Sequence, residues 1–254
     1  MIVRGSGVTA EQVVKDVSAN ISYFVPDPHL RLGDADSAHG VLFGQLAGYG
    51  EVAIKPHKLL ARAEEEGHKL ERVAEMGFDA VTPIHVAEGG LAAYLVMLRR
   101  AGLRHLGQVD WEVHIADHQR LQGIIIPTLG SAAEALASWR SAGIFHGDSQ
   151  AKNMAYGSDG NSVYVDAEKT QFNPAEAVAQ SMHIKDLILL GQSIMRRGLL
   201  NDRSPEFRLN FLVSHLLDPY LEQLHTANPR LNLNSIRSGV KAVWLEALEY
   251  WQSN

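Results

Sequence analysis

The spacing of apolar residues changes twice in the first eighty positions. Thr9 and Gln12 have the spacing of a capping box, which predicts a short helix of about Ala10–Asn20. From Tyr23 to Pro56 apolar residues alternate or cluster between Gly33, Gly40, Gly44, Gly48 and Gly50. That texture predicts strands near His29–Leu32, Val41–Leu46 and Glu51–Lys55, joined by tight turns. Lys58–Met76 has helical spacing instead. Leu59, Leu60, Ala63, Leu70, Val73 and Ala74 share roughly one face, and Gly77 stands where a C-terminal cap belongs. AVTPIHVA and LAAYLVML read as two further strands.

Beyond residue 107 the pattern is mostly helical. ADHQRLQGIIIPTLGSAAEALASWRSAG predicts helix with a break at Pro127, ending at Gly143. Pro174–Gly198 follows as helix, then a helix begun by Ser204 as N-cap with Pro205 in its first turn, then a last one around Ser235–Trp251. Phe145–Phe172 is the only strand-like stretch expected in this part. The expected class is α+β, with a small β-rich part over residues 1–100, a connector near Arg99–Gly107, and a larger α-rich part over residues 101–254.

Composition narrows the chemistry. The 254 residues are enough to bury a sizeable core, and 46% are hydrophobic. Without cysteine there is no disulfide framework and no thiolate-bound metal. No apolar run is long enough to span a bilayer, so a cytoplasmic protein with no membrane partner is expected. The formal net charge of −6 lacks the electrostatic footprint of a nucleic-acid binder, and any anion site must be local.

Two stretches carry candidate chemistry. In EVAIKPH, Lys55 ends an apolar strand, where burial is costly unless an anion meets it. Glu66 lies on the following helix, and a strand lysine paired to a helix glutamate is an arrangement that grips nucleotide phosphates. The same residues also fit a lysine snorkelling at a strand end beside a solvated EEE run. In FHGDSQAKNMAYGSDGNSVYVD, Asp148 precedes Asn153 by five residues, and SVYVD alternates as a strand that ends on Asp166. The glycines of YGSDGN supply a hairpin, which would bring the asparagine and the strand-end aspartate together. Such oxygen ligands suit Mg²⁺, leaving Asp148 to orient or deprotonate a hydroxyl.

H-G-D-x-x-x-x-N, a strand ending in D, and V-A-I-K upstream resemble the protein-kinase-like superfamily, closest in style to its aminoglycoside- and choline-type small-molecule phosphotransferases. Four motifs occur in order between Lys55 and Asp166. The resemblance implies a two-lobed fold and transfer of the γ-phosphate of ATP to a hydroxyl. It implies that Lys55 contacts the nucleotide, positioned by Glu66, that Asp148 is the catalytic base, and that Asn153 and Asp166 bind Mg²⁺. His146 would pin the catalytic loop. The phosphate loop would be GDADSAHG, with Ser37 and Gly40 as nucleotide-binding residues, although no G-x-G-x-x-G is present.

The departures from that pattern point away from a regulated protein kinase. Gly147 replaces the usual arginine, DAE replaces D-F-G with Glu168 beside the metal or on the surface, and A-P-E is missing. Gln150 stands where many relatives have lysine or histidine. Asp186 would begin the next long helix, leaving little chain for docking a peptide. A small-molecule acceptor is therefore expected, with a protein (or self-phosphorylating) kinase and a nucleotide-binding pseudokinase scaffold as alternatives. His114 and His118, four apart beside Asp117, have zinc-binding spacing if helical, but no third ligand is evident and a solvated or partner-facing helix is expected.

Overall fold

The structure, a computed structural model, describes residues 10–27, 41–100, 102–227 and 231–253. The chain forms two compact units, one of Met1–Leu103 with Val163–Glu168, the other of Arg104–Ser162 with Lys169–Asn254. The expected division at 100/101 did not include the short return of 163–168 to the first unit.

In the first unit, helix α1 (Ala10–Asn20) precedes strands β1 (Phe24–Pro26), β2 (Leu42–Leu46) and β3 (Gly50–His57). Helix α2 (Leu60–Glu75) and strands β4 (Pro83–Glu88) and β5 (Ala93–Leu98) follow. The five strands make one antiparallel sheet in the order β1-β2-β3-β5-β4. Strand β1 was not expected, and the strand expected near His29–Leu32 lies outside the described residues, as do Thr9, Ser37 and Gly40.

Period-2 alternation sorts the side chains of β3. Val52 and Ile54 join Val13 and Val17 of α1 and Ile21 just after it in one core, with Tyr94 and Val96 of β5. Lys55 therefore belongs to the opposite face, the one covered by α2. There it pairs in register with Leu95, against whose side chain Gly67 of α2 packs. With a helix on each face, β5 is buried along nearly its whole length and reads as a continuous apolar run. Asp16 fastens α1 to the turn before β5, accepting from the backbone N–H of Gly90 at 2.9 Å and Leu91 at 3.0 Å, and from the Tyr94 hydroxyl.

The segment Val163–Glu168 belongs to this unit because its backbone pairs with the chain after α2. Tyr164 N–H donates to the Asp79 carbonyl at 2.7 Å, and Val81 N–H donates to the Tyr164 carbonyl at 3.0 Å.

The second unit begins with β6 (Arg104–His105), followed by a one-turn helix α3 (His118–Arg120) and helix α4 (Ile126–Ser141). Leu121–Ile125 joins the two helices as a π-turn. The break expected at Pro127 is thus a widened turn just upstream, as a residue without an N–H requires of the hydrogen-bond ladder before it. His114 lies outside any helix, so His114 and His118 do not share a helix face. Instead, His114 Nδ1 is 3.6 Å from an Asp202 oxygen.

Strands β7 (Ile144–Phe145) and β8 (Met154–Tyr156) come next, then β9 (Ser162–Tyr164), whose last two residues belong to the first unit, and β10 (Gln171–Phe172). β10 pairs antiparallel with β7, and β8 with β6, so the strands fall in the one stretch expected, Phe145–Phe172, with Ile144 just before it and β6 as the addition. The helices α5 (Glu176–Met195), α6 (Pro205–Leu212), α7 (Asp218–Ala227) and α8 (Leu233–Ser253) complete the unit. Ser204 caps α6, accepting from Phe207 N–H at 3.3 Å. Ile236, Val240, Trp244 and Leu248 recur every fourth residue of α8 and are buried. Trp244 lies so close to Gly191 of α5 that a Cβ there would stand 2.3 Å from its ring. No described helix is long and apolar enough to cross a membrane.

Candidate functional site

Candidate residues form two clusters, one in each unit. In the first, β3 delivers Lys55 to the face under α2, where the side chain is 9% exposed. Its Nζ donates to both oxygens of Glu66 at 2.8 Å and to Asp166 Oδ1 at 2.7 Å. Two carboxylates thus meet one buried ammonium, so the snorkelling alternative does not describe Lys55. Burial pulls the Lys55 ammonium down, but Glu66 and Asp166 outweigh it and the net shift is upward. Burial likewise pushes Glu66 up, and Lys55 and His57 outweigh it, leaving its carboxyl below the usual range. His57, two residues along the same strand face, brings Nε2 to 2.9 Å from Glu66.

Asp166 does not end the strand as expected. β9 stops at Tyr164, and Asp166 follows in a left-handed turn with φ of 55°. Helix α2 grips this turn from two positions. Glu66 accepts from Ala167 N–H at 3.1 Å, and Lys69 donates to the Glu168 carbonyl at 2.9 Å. The bend costs backbone strain, and these contacts offset it by aiming the Asp166 carboxylate at Lys55.

The second cluster surrounds Asp148, in the loop after β7. Asp148 Oδ1 accepts from Gln150 Nε2 at 2.8 Å and Oδ2 from Lys169 Nζ at 2.6 Å. Asn153, on a single 3-10 turn, donates its amide to the Asp148 carbonyl at 2.9 Å, which leaves its amide oxygen as an acceptor. Gly147 has φ of 76°, and a Cβ there would stand 2.4 Å from the Lys169 carbonyl oxygen. A small residue at 147 is therefore a packing requirement as well as a conformational one.

A buried ion pair supports this loop. Arg140 of α4 meets Asp186 inside α5, both almost fully buried. Asp186 thus lies midway along its helix rather than at its start. Arg140 also donates to the Ile144 carbonyl at 2.7 Å and lies over the Phe145 ring at 3.9 Å. Ser149 Oγ donates to the Asp186 carbonyl at 2.6 Å, and Ala151 N–H to Ser193 Oγ at 2.8 Å. His146 is buried, its ring centroid 6.1 Å from that of Trp139, consistent with a loop-pinning place.

Next to the pair, His183 Nδ1 is 2.6 Å from the Tyr220 hydroxyl. Burial, with Arg140 close by, pushes His183 down to about 3. Burial raises Tyr220 to about 12, against the opposing pull of Arg140, so the phenol donates to a neutral imidazole.

Sequence reasoning missed His57, Lys69, Arg140 and Lys169. Lys169 stands three residues after Asp166, but no spacing rule singles it out. Arg140 falls within the helix expected for ADHQRLQGIIIPTLGSAAEALASWRSAG, and a buried arginine near a helix end has no local signature.

The described residues assemble no group of three or more His, Cys, Asp or Glu side chains able to hold a metal by themselves. The first unit offers a hard carboxylate oxygen at Asp166, and the second an amide oxygen at Asn153. Oxygen donors of these types are those that suit Mg²⁺ held mostly by phosphate oxygens rather than by protein. Compared with protein-family models and with curated proteins, the chain matches none.

Proposed function

We propose that the chain is a phosphotransferase of the protein-kinase-like superfamily, moving the γ-phosphate of ATP to a hydroxyl of a small molecule. The observation that carries this reading is the buried Lys55, engaged at once by Glu66 and Asp166. A cation fixed between a helix glutamate and an aspartate on a tight turn is suited to hold nucleotide phosphate near a metal-binding carboxylate. The antiparallel sheet with α2 against it in the first unit, and the helices of the second, support the fold reading by content. A cytoplasmic setting suits a cysteine-free chain.

Each residue has separate work in this mechanism. Lys55 binds phosphate oxygens, and Glu66 holds Lys55 in place. Asn153 and Asp166 would supply oxygen donors for Mg²⁺, which would neutralise charge on the phosphates of ATP. Asp148 accepts the hydrogen bond of the acceptor hydroxyl and takes its proton. The acceptor oxygen bonds to the γ-phosphorus, the bond from that phosphorus to the bridging oxygen breaks, and ADP leaves with the bond electrons. Positioning and charge complementarity provide most of the rate enhancement.

A second reading, a nucleotide-binding scaffold without turnover, is favoured by the engagement of both Asp148 oxygens within the protein. Calorimetric titration of Mg²⁺-ATP, followed by transfer of labelled γ-phosphate to metabolite pools, separates the two. Mg²⁺-dependent binding with acceptor-dependent transfer is the expected result. Binding without transfer or ATP hydrolysis favours the scaffold, and absence of Mg²⁺-ATP binding overturns both. Asp166→Asn should weaken Mg²⁺-dependent binding, whereas Asp148→Asn should spare binding and lower turnover by roughly 10²–10⁴-fold.

A further inference from the structure

We propose that Lys169 is a further catalytic residue, the cation that meets the transferring phosphoryl group on the acceptor side; this rests on the phosphotransferase reading. The paired strands β7 and β10 deliver it. Their register places Phe145 opposite Gln171, and two residues further along each strand are Gly147 and Lys169. Gly147 lets the two backbones close to a distance that any side chain would prevent. The Lys169 ammonium then reaches Asp148 Oδ2 at 2.6 Å.

Chemistry at Asp148 needs a positive charge at this place. An acceptor oxygen hydrogen-bonded to Asp148 lies about 2.6–3.2 Å from the carboxylate. The phosphorus it attacks lies about 3–3.5 Å beyond that oxygen. A cation already on Asp148 is therefore within one side-chain rotation of the equatorial phosphoryl oxygens, which carry the charge of the transition state. Gln150, the other partner of Asp148, is neutral and cannot supply that charge. The Lys169 side chain is 56% exposed while that of Asp148 is 16% exposed, so the lysine is the member of the pair with room to turn. As the acceptor's proton passes to Asp148, the new O–P bond forms and the bond from phosphorus to the bridging oxygen breaks with the electrons going to ADP, while Lys169 moves from the carboxylate to the phosphoryl oxygens.

The test uses the full chain with Mg²⁺-ATP as the probe and water as the acceptor, following ADP release and measuring ATP affinity by calorimetry. Lys169→Met should lower kcat roughly tenfold or more while the Mg²⁺-ATP Kd stays within about twofold, because the contact forms only in the transition state. Lys169→Arg should recover much of the lost kcat, which a purely structural role would not require. Unchanged kcat in Lys169→Met, beside an active wild type, overturns the role of Lys169 and leaves the phosphotransferase reading standing. A rise in kcat also overturns it, since Lys169 would then be a restraint on Asp148. If the wild type neither hydrolyses Mg²⁺-ATP nor transfers its γ-phosphate to metabolite pools, the phosphotransferase reading fails and this inference falls with it.

Discussion

Desolvating the Lys55 ammonium costs several kcal/mol unless anions meet it, and the fold supplies Glu66 and Asp166. Removing the lysine strands Glu66, which is 1% exposed. Lys55→Met should therefore destabilise the protein by about 3–5 kcal/mol, and Lys55→Met/Glu66→Leu should recover most of that loss. Urea unfolding of the two variants checks this. A single variant as stable as the wild type would mean that the pair is not buried as described. His183 makes a pH prediction. Its folded pKa of about 3 lies below the ordinary histidine value, so the unfolded chain binds more protons between those limits. The stability it contributes is complete above about pH 6.5 and is lost as pH falls toward 3, with a slope approaching ~1.4 kcal/mol per pH unit. His183→Gln should flatten the acid limb of a stability-against-pH curve. An unchanged limb would place the acid sensitivity elsewhere.

Elements are coupled here by few, identifiable contacts. Helix α1 and the residue after it cover one face of the sheet with Val13, Val17 and Ile21, and Asp16 ties the helix to the turn before β5 by hydrogen bonds from Gly90 and Leu91 N–H. Burial raises the Asp16 carboxyl, and hydrogen bonds from Tyr94, Leu91, Gly90 and Asn20 bring it net below the usual range. Asp16→Ala should cost about 1.5–3 kcal/mol, the range for hydrogen bonds to a charged group, and should raise amide exchange in both α1 and residues 89–92. Exchange raised in α1 alone would show that the turn does not depend on it. Asp16→Asn should also reduce the loss of stability in acid, because the wild-type contribution is present above the ordinary aspartate pKa and disappears as pH falls through the lowered one.

For the whole molecule, the return of Val163–Glu168 to the first unit makes a cut after residue 103 costly. A fragment of residues 1–103 lacks Tyr164, the partner of Asp79 and Val81, and lacks Asp166, a counter-ion of Lys55. It should fail to unfold cooperatively in urea. A sharp two-state transition in that fragment would contradict the division. Much of the architecture was legible in the chain. Period-2 runs marked β2, β3 and β5, helical spacing marked α2 and α8, and Ser204-Pro205 marked the start of α6, because local backbone preference and one-sided burial write themselves into neighbouring residues. Short strands such as β1, β6, β7 and β10 were not legible, since two or three residues show no period and exist through their partners. The same limit holds for the candidate site. The sequence alone determined that Lys55, Glu66, Asp148, Asn153 and Asp166 are chemically able residues at suggestive spacings. Tertiary structure decided that Lys55 is shared by Glu66 and Asp166, that Asp166 sits in a left-handed turn, and that Lys169 reaches Asp148. Those facts depend on contacts between residues 11, 111 and 21 positions apart, and no local pattern encodes a pairing made only when distant segments pack.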